Sequence, residues 1–175
     1  MASKGGQEEW REAVDAEAAR IVQATPWQIL YPDDGVVIEV LAPPERRPAD
    51  ASSDPNRASV VFSITYGQIN FLLTGDMFTE AEAELLAVDA PMQINLLKVA
   101  HHGSRTSTSQ RFLERVGPAV AVVSVGEDNR HGHPHEEIFR RLLDQVGEQN
   151  LFLTNKRGDI EFVTDGSRLE VTTDR

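Results

Sequence analysis

The clearest pattern along the chain is a series of short apolar runs, rich in β-branched and aromatic residues and bounded by glycine, proline or charged positions. Runs of this kind predict buried or half-buried strands. We expect strands at 27–31, 36–41, 59–66, 69–74, 95–100, 119–125, 151–154, 159–163 and 168–171. The run at 119–125 is continuously apolar, which is typical of a central strand covered on both faces.

Between these runs, apolar residues recur three and four positions apart, which predicts amphipathic helices. We expect helices over 7–24, 78–88, 107–116 and 134–146. Thr79 and Glu82 have the spacing of a capping box at the start of the second helix. Gly117 and Gly147 follow the last residues of the third and fourth helices. Alternating strands and helices, followed by a meander of three short strands, predict an α/β fold with a mixed sheet and flanking helices.

The length of 175 residues fits one domain. Residues 1–8 are interpreted as a flexible leader and residues 9–175 as the single domain. The segment 42–57 contains four prolines and predicts a long loop, either mobile or functional.

Composition excludes several classes of protein. The formal net charge of −11 argues against broad electrostatic binding to nucleic acid or anionic membranes, although bound divalent cations could still hold a phosphate locally. The absence of cysteine excludes disulfides and thiolate sites. No apolar run approaches the about 18 residues of a membrane span, and no signal peptide is apparent. We therefore expect a soluble chain located in the cytoplasm, or outside it if the chain is part of a larger membrane protein.

Candidate chemistry lies at the ends of two predicted strands. Asp76 follows the run at 69–74, and all five histidines lie between residues 101 and 135: His101, His102, His131, His133 and His135. Carboxylates and imidazoles suit zinc and similar divalent metals. A single histidine at a strand end is more often structural, Asp76 could instead cap the following helix, and Ser104 could cap the next one. Because neighbouring strand residues point to opposite sides, we expect at most one of His101 and His102 to face a given site.

Five segments occur in an order that resembles a known family. They are 56–63, Phe71-Leu-Leu-Thr-Gly-Asp76, Leu97-Lys-Val-Ala-His-His-Gly-Ser104, 122–126 and Asn129-Arg-His-Gly-His-Pro134. The chain thereby resembles, from about Glu9 to Val171, the metallo-β-lactamase-like domain of ComEC-type DNA-uptake channel proteins of bacterial competence.

The resemblance implies an αββα sandwich, of which this chain is mainly the second half, with divalent metal (Zn²⁺ or Mn²⁺) between the sheets and phosphodiester hydrolysis as the activity. Asp76 matches a bridging metal ligand and His102 a second metal ligand, while His101 and Ser104 match positions that line the pocket. His133 and Asn129 match catalytic positions, with His133 as a substrate contact or proton donor. His131 and His135 receive no role.

The chain departs from the family pattern because no histidine precedes His101, so the first metal motif, His-x-His-x-Asp-His, is absent. Two matched ligands fall short of the three that a catalytic zinc generally needs, which would leave the site of this chain alone empty. Whether the chain is an enzyme therefore stays open. One interpretation is that the chain is part of a competence-related nuclease that acts on DNA, and that the missing N-terminal half completes its site. The others are a non-catalytic binding or assembly module, a rearranged local histidine site, and a phosphocholine-type esterase.

A half-domain of this kind would leave apolar sheet surface without a cover. We expect the inner faces of the strands at 59–66 and 119–125 to be incompletely buried, which predicts a partner surface for the complementary half or for another copy of the chain.

Overall fold

A seven-stranded mixed sheet organises the structure, a computed structural model that describes residues 4–43, 54–87 and 93–175. Its strands, in spatial and sequence order, are β1 (Ile29–Leu30), β2 (Val36–Ala42), β3 (Val61–Tyr66), β4 (Ile69–Leu73), β5 (Leu96–Lys98), β6 (Val120–Val123) and β7 (Leu151–Leu153). Strands β1 to β4 pair antiparallel, and β4 to β7 pair parallel. Two further strands, β8 (Ile160–Thr164) and β9 (Leu169–Thr173), form a separate antiparallel ribbon.

Five α-helices accompany the sheet in the described part of the chain: α1 (Lys4–Ala16), α2 (Thr79–Ala87), α3 (Gln110–Val116), α4 (Glu136–Val146) and α5 (Thr154–Arg157). Short 3₁₀ turns span Pro55–Ala58, Ala100–Gly103 and Glu148–Asn150. None of the described helices combines the length and the apolar content that a membrane span requires. The predicted α/β class with a mixed sheet and flanking helices is confirmed.

The core lies between one face of the sheet and helices α2, α3 and α4. Leu72, Leu97, Ala121 and Leu151 stand in register across β4 to β7 and are all buried. The same buried cluster takes in side chains from the three helices: Leu85, Phe112, Leu113, Val116, Ile138, Leu142 and Val146. Burial of these side chains holds the carboxyl ends of the parallel strands in fixed relation, and the candidate ligands follow those ends.

The opposite face of the sheet is covered less evenly. The ribbon β8–β9 reaches it through the ring contact of Phe152 with Phe162, at 5.9 Å between centroids. Phe62 and Ile64 on β3 remain half-buried, as expected for incompletely covered strands. Strand β6 differs from that expectation, because three of its four residues are buried.

Helix α1 ends earlier than its apolar pattern predicts. Instead of reaching residue 24, it stops at Ala16 because Ala18 adopts a left-handed φ of 51°. The N–H groups of Ala18 and Ala19 then bond to the carbonyls of Asp15 and Val14, a Schellman-type ending that usually uses glycine. Apolar residues of the predicted helical stripe are exposed: the exposed fraction is 55% for Trp10 and 61% for Ile21.

Three smaller expectations also need correction. Helix α1 begins at Lys4, earlier than the predicted start at residue 7. Residues 1–3, and residues 44–53 of the predicted loop, lie outside the described residues. The Thr79–Glu82 capping box does not form, because the Thr79 N–H donates to the carbonyl of Thr106. The prediction of a closing three-stranded meander is wrong as well, because β7 joins the main sheet and β8 pairs with β9.

Candidate functional site

Asp76 and His102 meet where two parallel strands end. Asp76 follows β4 and His102 follows β5, its parallel neighbour, so both lie at the same edge of the sheet. The Asp76 Oδ1 and His102 Nε2 atoms are 3.5 Å apart, and both side chains are partly exposed. Among the described residues, the Asp76 carboxylate makes no hydrogen bond to an N–H of α2, so the helix-cap alternative is not seen.

The ring of His102 is held in the orientation of a metal ligand. Its Nδ1 lies 2.6 Å from the carbonyl oxygen of Ser124. Because a carbonyl oxygen only accepts, Nδ1 carries a proton, and Nε2 is the ring nitrogen that faces Asp76. Metal-binding histidines are oriented in this way by a carbonyl or carboxylate on the other nitrogen.

The two adjacent histidines lie in a tight turn instead of a strand. His101 has φ 47° and ψ 41°, and His102 has φ 56° and ψ 22°, both in the left-handed region. The alternation rule for strand residues therefore does not apply to this pair. Their ring centroids lie 5.9 Å and 6.5 Å from that of His133. Left-handed conformations at non-glycine residues are costly and are concentrated at functional sites.

Gly103 brings the loop of His133 against this turn. It has φ +80°, and a Cβ built on it would lie 2.5 Å from the Cβ of Pro134. The His135 N–H also donates to the Gly103 carbonyl at 2.9 Å. The close approach of the two backbones requires a residue without a side chain.

We expect Gly103→Ala to destabilise the protein by at least about 2 kcal/mol, because it adds left-handed strain and a steric clash with Pro134. Gly126→Ala is the matched control, since a Cβ there meets nothing within 4 Å. Urea unfolding of the two variants and the wild type measures the difference. Equal midpoints for Gly103→Ala and Gly126→Ala would show that the contact has no such role.

His133 lies at the centre of a cluster formed by all five imidazoles. The centroid distances from His133 are 4.8 Å to His135 and 5.6 Å to His131. Burial, and then the neighbouring histidines, lower the pKa of His133 to about 4. Burial is also the main reason that the pKa of His101 is lowered, an effect that the nearby charge of Asp76 opposes. At neutral pH His133 is therefore uncharged, which favours a hydrogen-bonding role over proton donation.

Asn129 positions the backbone of His133. Its Oδ1 accepts the His133 N–H at 2.7 Å, and its Nδ2 donates to the His133 carbonyl at 2.9 Å and to the Gly126 carbonyl at 3.3 Å. These bonds use both ends of the amide to close the loop. The structure thus favours a positioning contact for Asn129 over the predicted catalytic one.

Ser104 does not cap the helix that follows. The cap of α3 is Ser109, whose Oγ accepts the Phe112 N–H at 3.2 Å. Ser104 is buried, and its Oγ lies 3.0 Å from Thr106 Oγ1, which in turn lies 3.2 Å from His101 Nδ1. Ser104 therefore contacts the site through Thr106.

Sequence reasoning did not single out several residues of the site. Ser124 contributes only its carbonyl oxygen, which has no residue-type signature. Thr106 lies in a Ser/Thr-rich run, which could have marked it. Lys98 precedes the histidine turn; burial lowers the pKa of its ammonium group, and Asp76 opposes that shift. Lys98 is therefore coupled electrostatically to the Asp76 carboxylate.

A cleft of about 470 Å³ opens beside His102 and is lined in part by Asn129, His131 and His133. His135 is directed elsewhere, because its Nδ1 accepts the Arg105 N–H at 3.2 Å. The cleft could admit a small polar group next to the two candidate ligands.

The donor set fits part of a metal site. A separation of 3.5 Å between Asp76 Oδ1 and His102 Nε2 suits two ligands that each lie about 2 Å from one ion. Across residues 4–43, 54–87 and 93–175, however, no group of three histidine, cysteine, aspartate or glutamate side chains is arranged to hold a metal. These residues alone therefore do not complete a catalytic metal site, and no catalytic step is assigned to them alone.

Comparison with known proteins identifies the family of the chain. A family model described as the metallo-beta-lactamase superfamily matches residues 2–127. The chain is 33% identical over 123 residues to ComE operon protein 3 of Bacillus subtilis (strain 168), covering 70% of this chain and 15% of that protein. It is 36% identical over 147 residues to Competence protein ComA of Neisseria gonorrhoeae, which covers 83% of this chain and 20% of that protein. It is also 40% identical over 87 residues to Recombination protein 2 of Haemophilus influenzae (strain ATCC 51907 / DSM 11121 / KW20 / Rd). That match covers 50% of this chain and 11% of that protein. The chain spans at most a fifth of the length of these curated relatives.

Proposed function

Because this chain belongs to the metallo-beta-lactamase superfamily, we propose that it supplies one part of a divalent-metal site that hydrolyses phosphodiesters, with DNA as the substrate. One observation carries the proposal: the Asp76 carboxylate lies 3.5 Å from His102 Nε2, while His102 Nδ1 is tied to a carbonyl. This pairing supplies two oriented donors at an open cleft.

The DNA context is supported by the relatives. One is named a competence protein and another a recombination protein. The net charge of −11 would repel a polyanion, so the chain needs a local source of positive charge. A divalent ion held by Asp76 and His102 would provide that charge beside the cleft.

Further ligands must come from a second polypeptide segment. The family's His-x-His-x-Asp-His motif would supply further histidine and aspartate ligands, which would complete the pair formed by Asp76 and His102. A divalent ion, when bound, polarises phosphoryl oxygens and lowers the pKa of water. In that setting the uncharged ring of His133 would contact the substrate, and Asn129 would hold its backbone in place.

Complementation tests the proposal. The chain is mixed with a polypeptide that carries His-x-His-x-Asp-His from the corresponding domain of a relative, and Zn²⁺ or Mn²⁺ is added. We expect cleavage of single-stranded DNA and of bis-p-nitrophenyl phosphate by the mixture but by neither component alone. A chelator should remove the activity, and the metal should restore it.

A mixture that forms a complex and binds metal but cleaves neither substrate would overturn the proposal in favour of a binding or assembly module. That alternative draws on the lack of a three-donor group among the described residues. Preferential hydrolysis of phosphocholine esters would instead indicate an esterase of the same superfamily.

A further inference from the structure

The loop 104–109, directly after the histidine turn, carries five hydroxyl side chains and is firmly anchored. The Glu82 carboxylate, which is only 1% exposed, accepts the N–H groups of Thr108 and Ser109. The guanidinium of Arg141 donates to the Thr108 carbonyl at 2.7 Å. The Ser107 hydroxyl lies 3.1 Å from the Ala100 carbonyl, which joins the loop to the turn before it.

These anchors place the hydroxyl of Thr106 between two partners. The Thr106 carbonyl accepts the Thr79 N–H at 3.0 Å, which fixes the backbone at this position. Thr106 Oγ1 then lies 3.2 Å from His101 Nδ1 and 3.0 Å from Ser104 Oγ. Ser104 Oγ also accepts the Thr106 N–H, at 3.4 Å.

Proton counting favours one direction for this chain of hydrogen bonds. Each hydroxyl has one proton to donate, and Ser104 is 5% exposed, so its proton needs a protein acceptor. Among the described residues, Thr106 Oγ1 is the acceptor within reach of the Ser104 hydroxyl. If Ser104 donates to Thr106, the Thr106 proton is free to bond to His101 Nδ1. In the reverse direction the buried Ser104 proton has no acceptor, which costs about 1–3 kcal/mol.

We propose that Thr106 is a positioning residue that accepts from Ser104, donates to His101 Nδ1, and thereby fixes His101 as the tautomer with its proton on Nε2. In the adjacent His102 the roles are reversed, because Nδ1 is the nitrogen that donates, to the Ser124 carbonyl. His102 therefore turns Nε2 towards Asp76, whereas His101 presents an Nε2–H donor. The role of that donor, to bind an anionic oxygen of the substrate, rests on the proposed function; the tautomer itself does not.

Nitrogen-15 NMR of histidine-labelled protein without metal tests the assignment. In the wild type we expect His101 to show a lone-pair type Nδ1 and a protonated Nε2, and His102 to show a protonated Nδ1. His101→Asn and His102→Asn variants identify the two sets of signals. The measurement needs neither activity nor bound metal, so its outcome is independent of whether the chain takes part in hydrolysis.

Thr106→Val removes the hydroxyl at nearly constant volume and should turn His101 into a mixture of tautomers, with both nitrogen shifts moving towards intermediate values. Thr106→Ser keeps the donor and should retain the wild-type pattern, and His102 should be unchanged in both. A protonated Nδ1 on His101 in the wild type would overturn the proposal. A His101 pattern in folded Thr106→Val that is identical to the wild-type pattern would also overturn it. If Thr106→Val does not fold, the His101 patterns of the wild type and of Thr106→Ser decide whether the proposal stands.

Discussion

Replacing Asp76 with alanine is expected to weaken metal binding by the complemented protein by at least about 100-fold and to reduce cleavage of bis-p-nitrophenyl phosphate at least as much. Loss of groups that merely orient ligands already costs about 10- to 100-fold in metal affinity, and Asp76 is one of only two matched ligands in this chain. Its Oδ1 atom lies 3.5 Å from His102 Nε2, so the substitution leaves one oriented donor at the cleft. Calorimetric titration with Zn²⁺ and initial cleavage rates provide the measurements.

Glu84→Ala is the matched control for Asp76→Ala. Glu84 is an exposed carboxylate of α2, and its loss changes the net charge by the same amount. We expect the control to keep the affinity and the rate of the wild type. If Asp76→Ala behaved like this control, Asp76 would not be a ligand, and the proposed site would have to be abandoned.

Glu82→Ala is expected to destabilise the fold by about 3 kcal/mol or more. Glu82 is almost fully buried, and its carboxylate accepts two backbone N–H groups at the start of α3. Alanine would leave the buried Thr108 N–H and the half-buried Ser109 N–H without an acceptor, at about 1–3 kcal/mol for a buried donor, and would also open a cavity. Urea unfolding followed by circular dichroism measures the loss.

Two companions to Glu82→Ala separate its causes. Glu82→Gln keeps most of the side-chain volume. Its stability should lie between those of the wild type and Glu82→Ala, because one amide oxygen replaces two carboxylate oxygens. Glu84→Ala removes a carboxylate from the exposed face of the same helix and should stay within about 0.5 kcal/mol of the wild type. An equal effect of Glu82→Ala and Glu84→Ala would show that the buried contacts do not anchor the loop.

Local sequence patterns predicted most strands and helices closely. Strand β3 was expected at 59–66 and spans Val61–Tyr66, and β4 was expected at 69–74 and spans Ile69–Leu73. Helix α4 ends where its apolar residues and Gly147 predict. These elements were predictable because alternation of apolar and polar residues directly reflects which side of the element is buried.

The expectations that the structure corrects share a different origin. Helix α1 ends at a left-handed Ala18, and His101 and His102 adopt left-handed conformations, although none of the three is glycine. Residue type gives no signal for such conformations, which persist only because surrounding contacts hold them. The partners of Glu82 lie 26 and 27 residues further along the chain, so the local capping-box pattern was misleading.

By itself, the sequence determined the fold class, the family resemblance and the identity of the candidate ligands Asp76 and His102, because short-range patterns and motif order carry that information. The tertiary structure alone decided that these two side chains lie 3.5 Å apart, that the Ser124 carbonyl orients His102, and that the other four imidazoles gather around His133. Those relations join segments far apart in the chain and depend on backbone atoms and packing. They exist only once parallel strands β4, β5 and β6 bring their ends to one edge of the sheet.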